Sequence, residues 1–198
     1  MTEDATISRD IRGLLGGDVV DVARQLLGWR LMTEFGGRTT EIVINEVEAY
    51  GGTEDSASHA YRGRTARNAS MFREPGTLYV YRSYGVHWCA NIVAGPEGEA
   101  SAVLLRGGAP AIGIGAMERR RGRSDHLSDG PGKVCAALGI TGDHDGTSVI
   151  DGPVRLIRGV LPEGTTIDSG PRVGIKTATD RPWRFVARVA GGSSLTST

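Results

Sequence analysis

The stretch richest in reactive side chains runs from Glu41 to Arg106. It opens on EIVINEVEAY, where Glu46, Glu48 and Tyr50 alternate. In a strand, successive side chains point to opposite faces. Glu46, Glu48 and Tyr50 then share a face with Ile42 and Ile44, while Val43, Val47 and Ala49 take the other. The first face turns from apolar to acidic towards the strand's end, where a sheet can present chemistry at an opening. A carboxylate there, beside a second carboxylate and an aromatic, suits general-base work, and Glu48 is the first candidate. Taken alone, an exposed strand glutamate is the commoner explanation. The Glu46/Glu48 pair also matches the residue types of a glycosidase dyad, but spacing along a strand does not fix that mechanism.

Aromatic and basic residues follow. Tyr79, Tyr81 and Tyr84 fall within six positions of PGTLYVYRSYGVHWCANI. Tyr79 and Tyr81 share a face, and cross-strand packing accounts for both. Tyr84 sits at the tip of a predicted hairpin, Ser83–Gly85, where a core role is least available. An aromatic at such a tip is a candidate wedge, of the kind that enters a base stack. Between Arg62 and Tyr84 there are five arginines (62, 64, 67, 73 and 82) against one acid, Glu74. A second cluster holds Arg119, Arg120, Arg121 and Arg123. The formal net charge is zero, so composition does not announce a nucleic acid, but a basic face can still grip a polyanion locally. Codon bias explains the arginines equally well, because lysine occurs only at 133 and 176 and glycine numbers 30. Together, the carboxylate, the stacked aromatics and the local basic surface point to chemistry on a flat heterocycle attached to a polyanion.

Other chemistries find little support. His59, His87, Cys89, His126, Cys135 and His144 show no metal-ligand spacing, so no metal and no cofactor are expected. Two cysteines make a disulfide framework improbable and fit a reducing compartment. Gly132-Lys133 at a helix start matches neither nucleotide-binding pattern. It can still hold one phosphate on backbone N–H groups. No apolar run reaches membrane-spanning length and the polar, acidic start is no signal peptide, so a cytoplasmic protein is expected.

The rest of the chain supplies the scaffold for these residues. At 198 residues, with 39% hydrophobic and 23% charged residues, the chain is expected to form one domain over 1–198. Residues 1–16 and 191–198 are expected to be loosely ordered. Asp18 can cap a helix over Val19–Leu27, stopped by Gly28. Trp29–Phe35 and Thr40–Tyr50 read as strands about a Gly36-Gly37 turn. Gly51–Arg73 reads as a long loop with one short helical turn. Strands are expected at Thr77–Arg82, Val86–Val93 and Ser101–Arg106, then a loop at Gly107–Pro110 and a helix over Ile112–Arg121. Pro131 opens a helix through Leu138. Further strands fall around Ser148–Ile150, Val154–Arg158 and Arg184–Val189. The order implies an α+β fold: a mixed, mostly antiparallel sheet with surrounding helices and a protruding hairpin.

NEVEAY, DSASHAYRGRTARNASMF, PGTLYVYRSYGVHWCANI, AVLLR, GPGKVCAALGI and PRVGI together resemble the alkyladenine/3-methyladenine DNA glycosylase family. The likeness runs from about Val20 to Val189. It implies a repair enzyme that flips alkylated or deaminated purines out of duplex DNA. Such an enzyme hydrolyses the N-glycosidic bond, and acts as a monomer without a cofactor. It implies Glu48 as the base that activates water, and Tyr50, His59 and Tyr81 as the pocket around the flipped base. Asn91 resembles the pocket-floor residue that discriminates purine substituents, and Arg106 the arginine near the lesion. Tyr84 resembles the residue that fills the gap in the duplex. Arg62, Arg64, Arg67 and Lys133 are the expected DNA contacts. No lysine lies between Glu48 and Arg106, which implies a monofunctional enzyme. After Arg106 the family usually runs Ala-x-Glu-Pro; here Gly107-Gly108-Ala109-Pro110 leaves the packing of that segment open. A lesion-binding protein without catalysis and a single-strand RNA-binding module would use similar aromatics and arginines. Neither needs Glu48.

Overall fold

The computed structural model of the protein describes residues 3–189. Helices α1 (Glu3–Leu15) and α2 (Val19–Gln25) lead. Asp18 caps α2, accepting from the Val20 and Asp21 N–H groups and satisfying two orphan donors. Strand β1 (Arg30–Phe35) turns through Gly36-Gly37 into β2 (Arg38–Gly51). Both glycines have positive φ, which a tight hairpin matched to strand twist requires. Two short 3-10 turns follow, Gly52–Glu54 and Ala69–Phe72, within one long excursion. Then come β3 (Leu78–Ser83), β4 (His87–Ala94) and β5 (Ser101–Ile112). Helices α3 (Ile114–Arg121) and α4 (Pro131–Leu138) precede β6 (Val154–Ile157), β7 (Thr166–Gly170) and β8 (Arg184–Arg188).

The sheet runs β3-β4-β5-β2-β1-β6. Strand β2 is its spine. Strand β5 pairs along it from Glu41 to Gly51. On the other edge, β1 takes residues 38–43 and β8 takes Glu46–Glu48, with β7 beyond β8. Every pairing among the named strands is antiparallel, so the sheet is not mixed. The molecule is a single-domain α+β fold.

Alternation gives the sheet two distinct faces. Ile42, Ile44, Val47 and Ala49 of β2 belong to the main core, with Leu78 and Val80 of β3, Ala90 and Ile92 of β4, and Val103 and Leu105 of β5. Helices α2, α3 and α4 cover this face, contributing Val22, Met117 and Leu138 among others. The opposite face carries a smaller cluster, Ala60, Met71, Tyr79, Val93, Ala100 and Ala102, under the 52–77 excursion. Gly52 is tied closely into that excursion: its φ is +60°, and a Cβ there would collide with the Glu99 carbonyl.

Several expectations require correction. Residues 3–15 form a helix rather than a loose segment. Ile11, Leu14 and Leu15 sit at helical spacing, and Ile11 and Leu15 are buried in the main core. Residues 191–198 lie outside the described residues. Gly107–Pro110 is not a loop but continues β5 against β2, with Gly108 opposite Ile44 and Ala109 opposite Val43. A Cβ on Gly108 would meet Ile42 at 2.6 Å, so a side chain cannot be added there without displacing the core. Helix α3 accordingly starts at Ile114, two residues later than expected. Ser148 makes one bridge to Thr77 instead of a strand, and β7 carries no apolar run to announce it.

The most consequential correction concerns β2. Perfect alternation would put Ile42 and Ile44 on the face of Glu48. The register between β2 and β5 is irregular between Ile44 and Glu46 and between Glu46 and Val47. Parity switches there: Ile42 and Ile44 share the core with Val47 and Ala49, and Glu48 and Tyr50 turn to the other face.

Docking of α1 is testable through Leu15, which is fully buried. Leu15→Ala should lower the unfolding free energy by about 2–5 kcal/mol in a urea titration. A loss below about 1 kcal/mol would show that α1 is not packed on the core.

Candidate active site

The face opposite the main core holds a cavity of about 550 Å³. Four neighbouring strands line it at every second residue: Tyr50 from β2, Tyr79, Tyr81 and Ser83 from β3, Cys89 and Asn91 from β4, and Leu104 and Arg106 from β5. The 56–59 segment with His59, Arg67 and Met71 contributes further lining, as do residues 173–177. The period-two pattern of strands thus places residues far apart in sequence on one surface.

Glu48 lies beneath this lining. Its side chain is fully buried. Oε2 accepts the Tyr50 hydroxyl at 2.8 Å, and Oε1 accepts the Val173 N–H at 2.7 Å. Arg106 Nε stands 3.4 Å from Oε1. Glu48 is therefore not displayed at an opening, as the apolar-to-acidic face implied. It is a buried carboxylate whose contacts Tyr50, Arg106 and Val173 themselves face the cavity. Glu46 has a different place. Its Oε1 accepts Arg106 Nε at 2.9 Å and Arg184 Nε at 2.7 Å, so it braces Arg106 from behind.

The aromatic wall is continuous. Tyr79 and Tyr81 stack with centroids 5.4 Å apart. His59 meets Tyr81 edge to face at 4.5 Å, and its Nδ1 lies 3.0 Å from the Tyr79 hydroxyl. His59 is open to solvent through the cavity, while the walls around it desolvate the ring. That desolvation, with the nearby Arg67 charge, lowers its basicity and favours the neutral imidazole. Asn91 is buried and donates Nδ2 to the Tyr79 carbonyl. Its Oδ1 has no hydrogen bond among the described residues.

The expected DNA contacts divide. Tyr84 is 94% exposed at the hairpin tip and also borders the cavity. Its φ is +50° and that of Gly85 +70°, and the Val86 N–H closes the turn on the Ser83 carbonyl. Arg62 and Arg64 are exposed beside the partly exposed Tyr61. Arg67 borders the cavity and donates to the Arg82 carbonyl. Lys133 bonds Asp129 at 3.0 Å on α4, whose Pro131 reaches the cavity. In the 119–123 cluster Arg119 is exposed and Arg123 pairs with the exposed Asp125, while the other two arginines are turned inward. Arg120 donates to Thr40 and the Ala137 carbonyl, and Arg121 to the Leu127 carbonyl. Thr40 lies eight residues along β2 from Glu48, about 26 Å at the ordinary strand rise.

Sequence reasoning missed the 171–178 segment. Arg172 and Asp55 form an ion pair with both side chains fully buried. Lys176, distant from the Glu48–Arg106 stretch in sequence, borders the same cavity. PRVGI was part of the family likeness, but no charge pattern linked Arg172 to an acid 117 positions away. Among the described residues no group of three His, Cys, Asp or Glu could hold a metal. No helix there is long and apolar enough to cross a membrane.

This cavity, with a carboxylate beneath aromatic walls, has the makings of a hydrolytic site for a flat ring. The family described as Methylpurine-DNA glycosylase (MPG) matches residues 14–190. A protein of Rhodopseudomonas palustris (strain HaA2) is 48% identical over 176 residues, covering 88% of this chain and 84% of its own. One of Mycobacterium leprae (strain Br4923) is 48% identical over 178 residues, covering 85% and 80%. One of Nitrosospira multiformis is 46% identical over 169 residues, covering 84% and 83%. All three carry 3-methyladenine DNA glycosylase as a provisional name. The chain belongs to the methylpurine-DNA glycosylase family, hydrolases of N-glycosyl bonds that act on alkylated bases in DNA.

Burial of the aromatic wall has a consequence in alkali. Burial pushes the Tyr79 hydroxyl up to about 12. It raises Tyr50 further, helped by the Glu48 charge, and Tyr81 likewise. Because the folded state must keep these protons, ionisation above the ordinary tyrosine pKa favours the unfolded chain. Stability is therefore undiminished below pH 10 and is lost as pH rises towards 12. NMR of ring-labelled tyrosine should show Tyr50, Tyr79 and Tyr81 un-ionised at pH 10.5; ionisation of any of them there would contradict an enclosed wall.

Proposed function

We propose that this glycosylase extrudes a damaged purine from duplex DNA into the cavity and hydrolyses its N-glycosidic bond with water activated by Glu48. One observation carries the reading: a fully buried carboxylate, held by Tyr50, Val173 and Arg106, lies directly behind the lining of an aromatic-walled cavity. His59 and Tyr81 already touch, so no ring fits between them. The base enters instead between that pair and Tyr50. Stacking contributes about 1–3 kcal/mol per base against the cost of unstacking. An N-alkylated purine is cationic and gains cation–π attraction from the tyrosine faces. Asn91 tests the purine edge with its free Oδ1. As the bond stretches, the sugar takes on oxocarbenium character. The Glu48 anion stabilises that charge and takes the proton of the attacking water. Arg106, braced by Glu46, lies at the floor beside the same carboxylate. The enzyme acts as a monomer and begins base excision repair by leaving an abasic site.

The substrate range extends to deaminated purines such as hypoxanthine, whose neutral ring depends more heavily on the protein's polar groups. Single-turnover assays on duplexes carrying 7-methylguanine, 3-methyladenine or hypoxanthine measure base release directly. Release of all three, with intact strands before alkali, is the expected result; binding without release would leave a lesion-recognition protein. The monofunctional assignment is tested by the same reactions under borohydride. A bifunctional enzyme attacks the sugar with an amine and forms a reducible Schiff base. Because Lys176 borders the cavity, the trapping experiment examines a real candidate. No covalent adduct is expected, and an adduct through Lys176 would overturn the assignment.

Tyr84 is proposed as the wedge that occupies the vacated place in the stack. A large exposed ring at a turn with positive φ is otherwise unfavourable unless a partner covers it. Tyr84→Ser should weaken affinity for a fully paired ethenoadenine duplex by roughly 1–3 kcal/mol. It should also reduce the fluorescence of the flipped base. The defect should shrink when the lesion faces a gap. Unchanged flipping and retention on a paired duplex would leave Tyr84 as a turn residue only.

A further inference from the structure

Arg172 and Asp55 form a buried ion pair, which is costly and seldom stabilises more than well-packed apolar side chains. Both side chains are fully buried, and Arg172 Nε finds no hydrogen-bond partner among the described residues. The contacts that are made are specific in direction. Arg172 Nη1 donates to the Ala49 carbonyl at 2.9 Å, and Nη1 and Nη2 both donate to the Asp55 carboxylate. Asp55 accepts the Gly51 N–H at 3.1 Å and the Ala57 N–H at 3.2 Å. The pair therefore grips the peptides on both sides of Tyr50. The guanidinium also lies 4.6 Å from the centre of the Tyr50 ring. The residue after Arg172 is Val173, whose N–H donates to Glu48 Oε1.

Two of the three donors around Glu48 are thus placed by this pair: the Tyr50 hydroxyl through its flanking peptides and ring, and the Val173 N–H through the chain itself. We propose that Arg172 and Asp55 are positioning residues for the hydrolytic step, holding Tyr50 and Val173 in the geometry that orients the Glu48 carboxylate. The proposal rests on the reading of Glu48 as the group that activates water. Asp55 is favourably placed to stay charged. Burial opposes its ionisation, but the hydrogen bonds from Arg172, Gly51 and Ala57 outweigh it and lower its pKa. The same carboxylate begins the segment that leads to His59, so one ion pair sets both the floor of the cavity and one wall.

Two variants of the full chain test this. Asp55→Asn keeps shape and one acceptor but removes the charge. Arg172→Lys keeps the charge but removes the planar fork. Affinity for an ethenoadenine duplex, fluorescence of the flipped base, and the single-turnover release rate are each measured, with rates normalised to the titrated fraction of active protein. A merely structural role lowers the active fraction and the melting temperature but leaves the normalised rate and affinity alone. The positioning role predicts affinity and flipping close to wild type with release slowed about 100-fold, the scale of a misplaced reacting group. A normalised rate at the wild-type level in either folded variant overturns the proposal. Glu48→Gln run alongside separates the two layers. If it releases the base normally, the reading of Glu48 fails and the proposal falls with it; if it is inert while Asp55→Asn is fully active, only the positioning proposal fails.

Discussion

A carboxylate with no solvent exposure must be matched by donors, because an unpaired buried charge is among the most expensive features a fold can hold. Glu48 sets that requirement here, and three separate parts of the chain answer it. Tyr50 comes from its own strand, Arg106 from the neighbouring strand, and the Val173 N–H from a segment about 125 residues further on. Each donor is in turn fixed by something else: Arg106 by Glu46, Val173 and Tyr50 by the Arg172–Asp55 pair. The sheet supplies the frame on which these dependencies close. The same arrangement leaves the donors facing the cavity, so whatever enters meets the groups that hold the carboxylate.

The irregularity in β2 and β5 makes this possible. Without it, the strand that buries Ile42 and Ile44 would bury Glu48 on the same side, in the apolar core beneath the helices. With it, one continuous strand serves the core in its first half and then presents Val47 and Ala49 to the core and Glu48 and Tyr50 to the cavity. Strands β3, β4 and β5 complete the face by ordinary alternation, which is why Tyr79, Tyr81, Cys89, Asn91, Leu104 and Arg106 line one surface.

Much of this was legible in the chain, and the reasons are local. The Asp18 cap, the Gly36-Gly37 turn, the Tyr84-Gly85 tip and Pro131 at a helix start are written in adjacent residues. Glu48, Tyr50 and Tyr81 stand out in the strand pattern, whereas His59, Asn91 and Arg106 are picked out only by the family likeness; all but Glu48 line the cavity, and Glu48 lies buried behind Tyr50 and Arg106. What escaped depends on contacts between distant segments. The β2 irregularity carries no glycine or proline on that strand to mark it. Gly107–Pro110 has loop composition, yet Gly108 sits in a sheet because Ile42 fills the space a side chain would need. Helix α1 has a polar start, and its apolar face on the core is carried by few residues, Ile11, Leu14 and Leu15 among them. The 119–123 arginines look like a polyanion site in sequence, while Arg120 and Arg121 spend their donors on internal carbonyls.

Net neutrality and DNA chemistry are compatible once charge is considered by place. Arg62, Arg64 and Arg67 lie on the excursion that walls the cavity, with Arg67 and Lys176 on its rim, while much of the acid is tied up in pairs such as Glu46, Asp55 and Asp129. A backbone held by such residues is positioned without being read in sequence. In the proposed reaction, discrimination falls to the cavity and the hydrolytic step to the carboxylate beneath it. The most direct measurement is single-turnover release of a methylated purine from duplex DNA by Glu48→Gln, with affinity for the same duplex measured on the same preparation. The account predicts release slowed about 10²–10⁴-fold, the range of a lost general base, at nearly unchanged affinity. Release within a few-fold of wild type would contradict it.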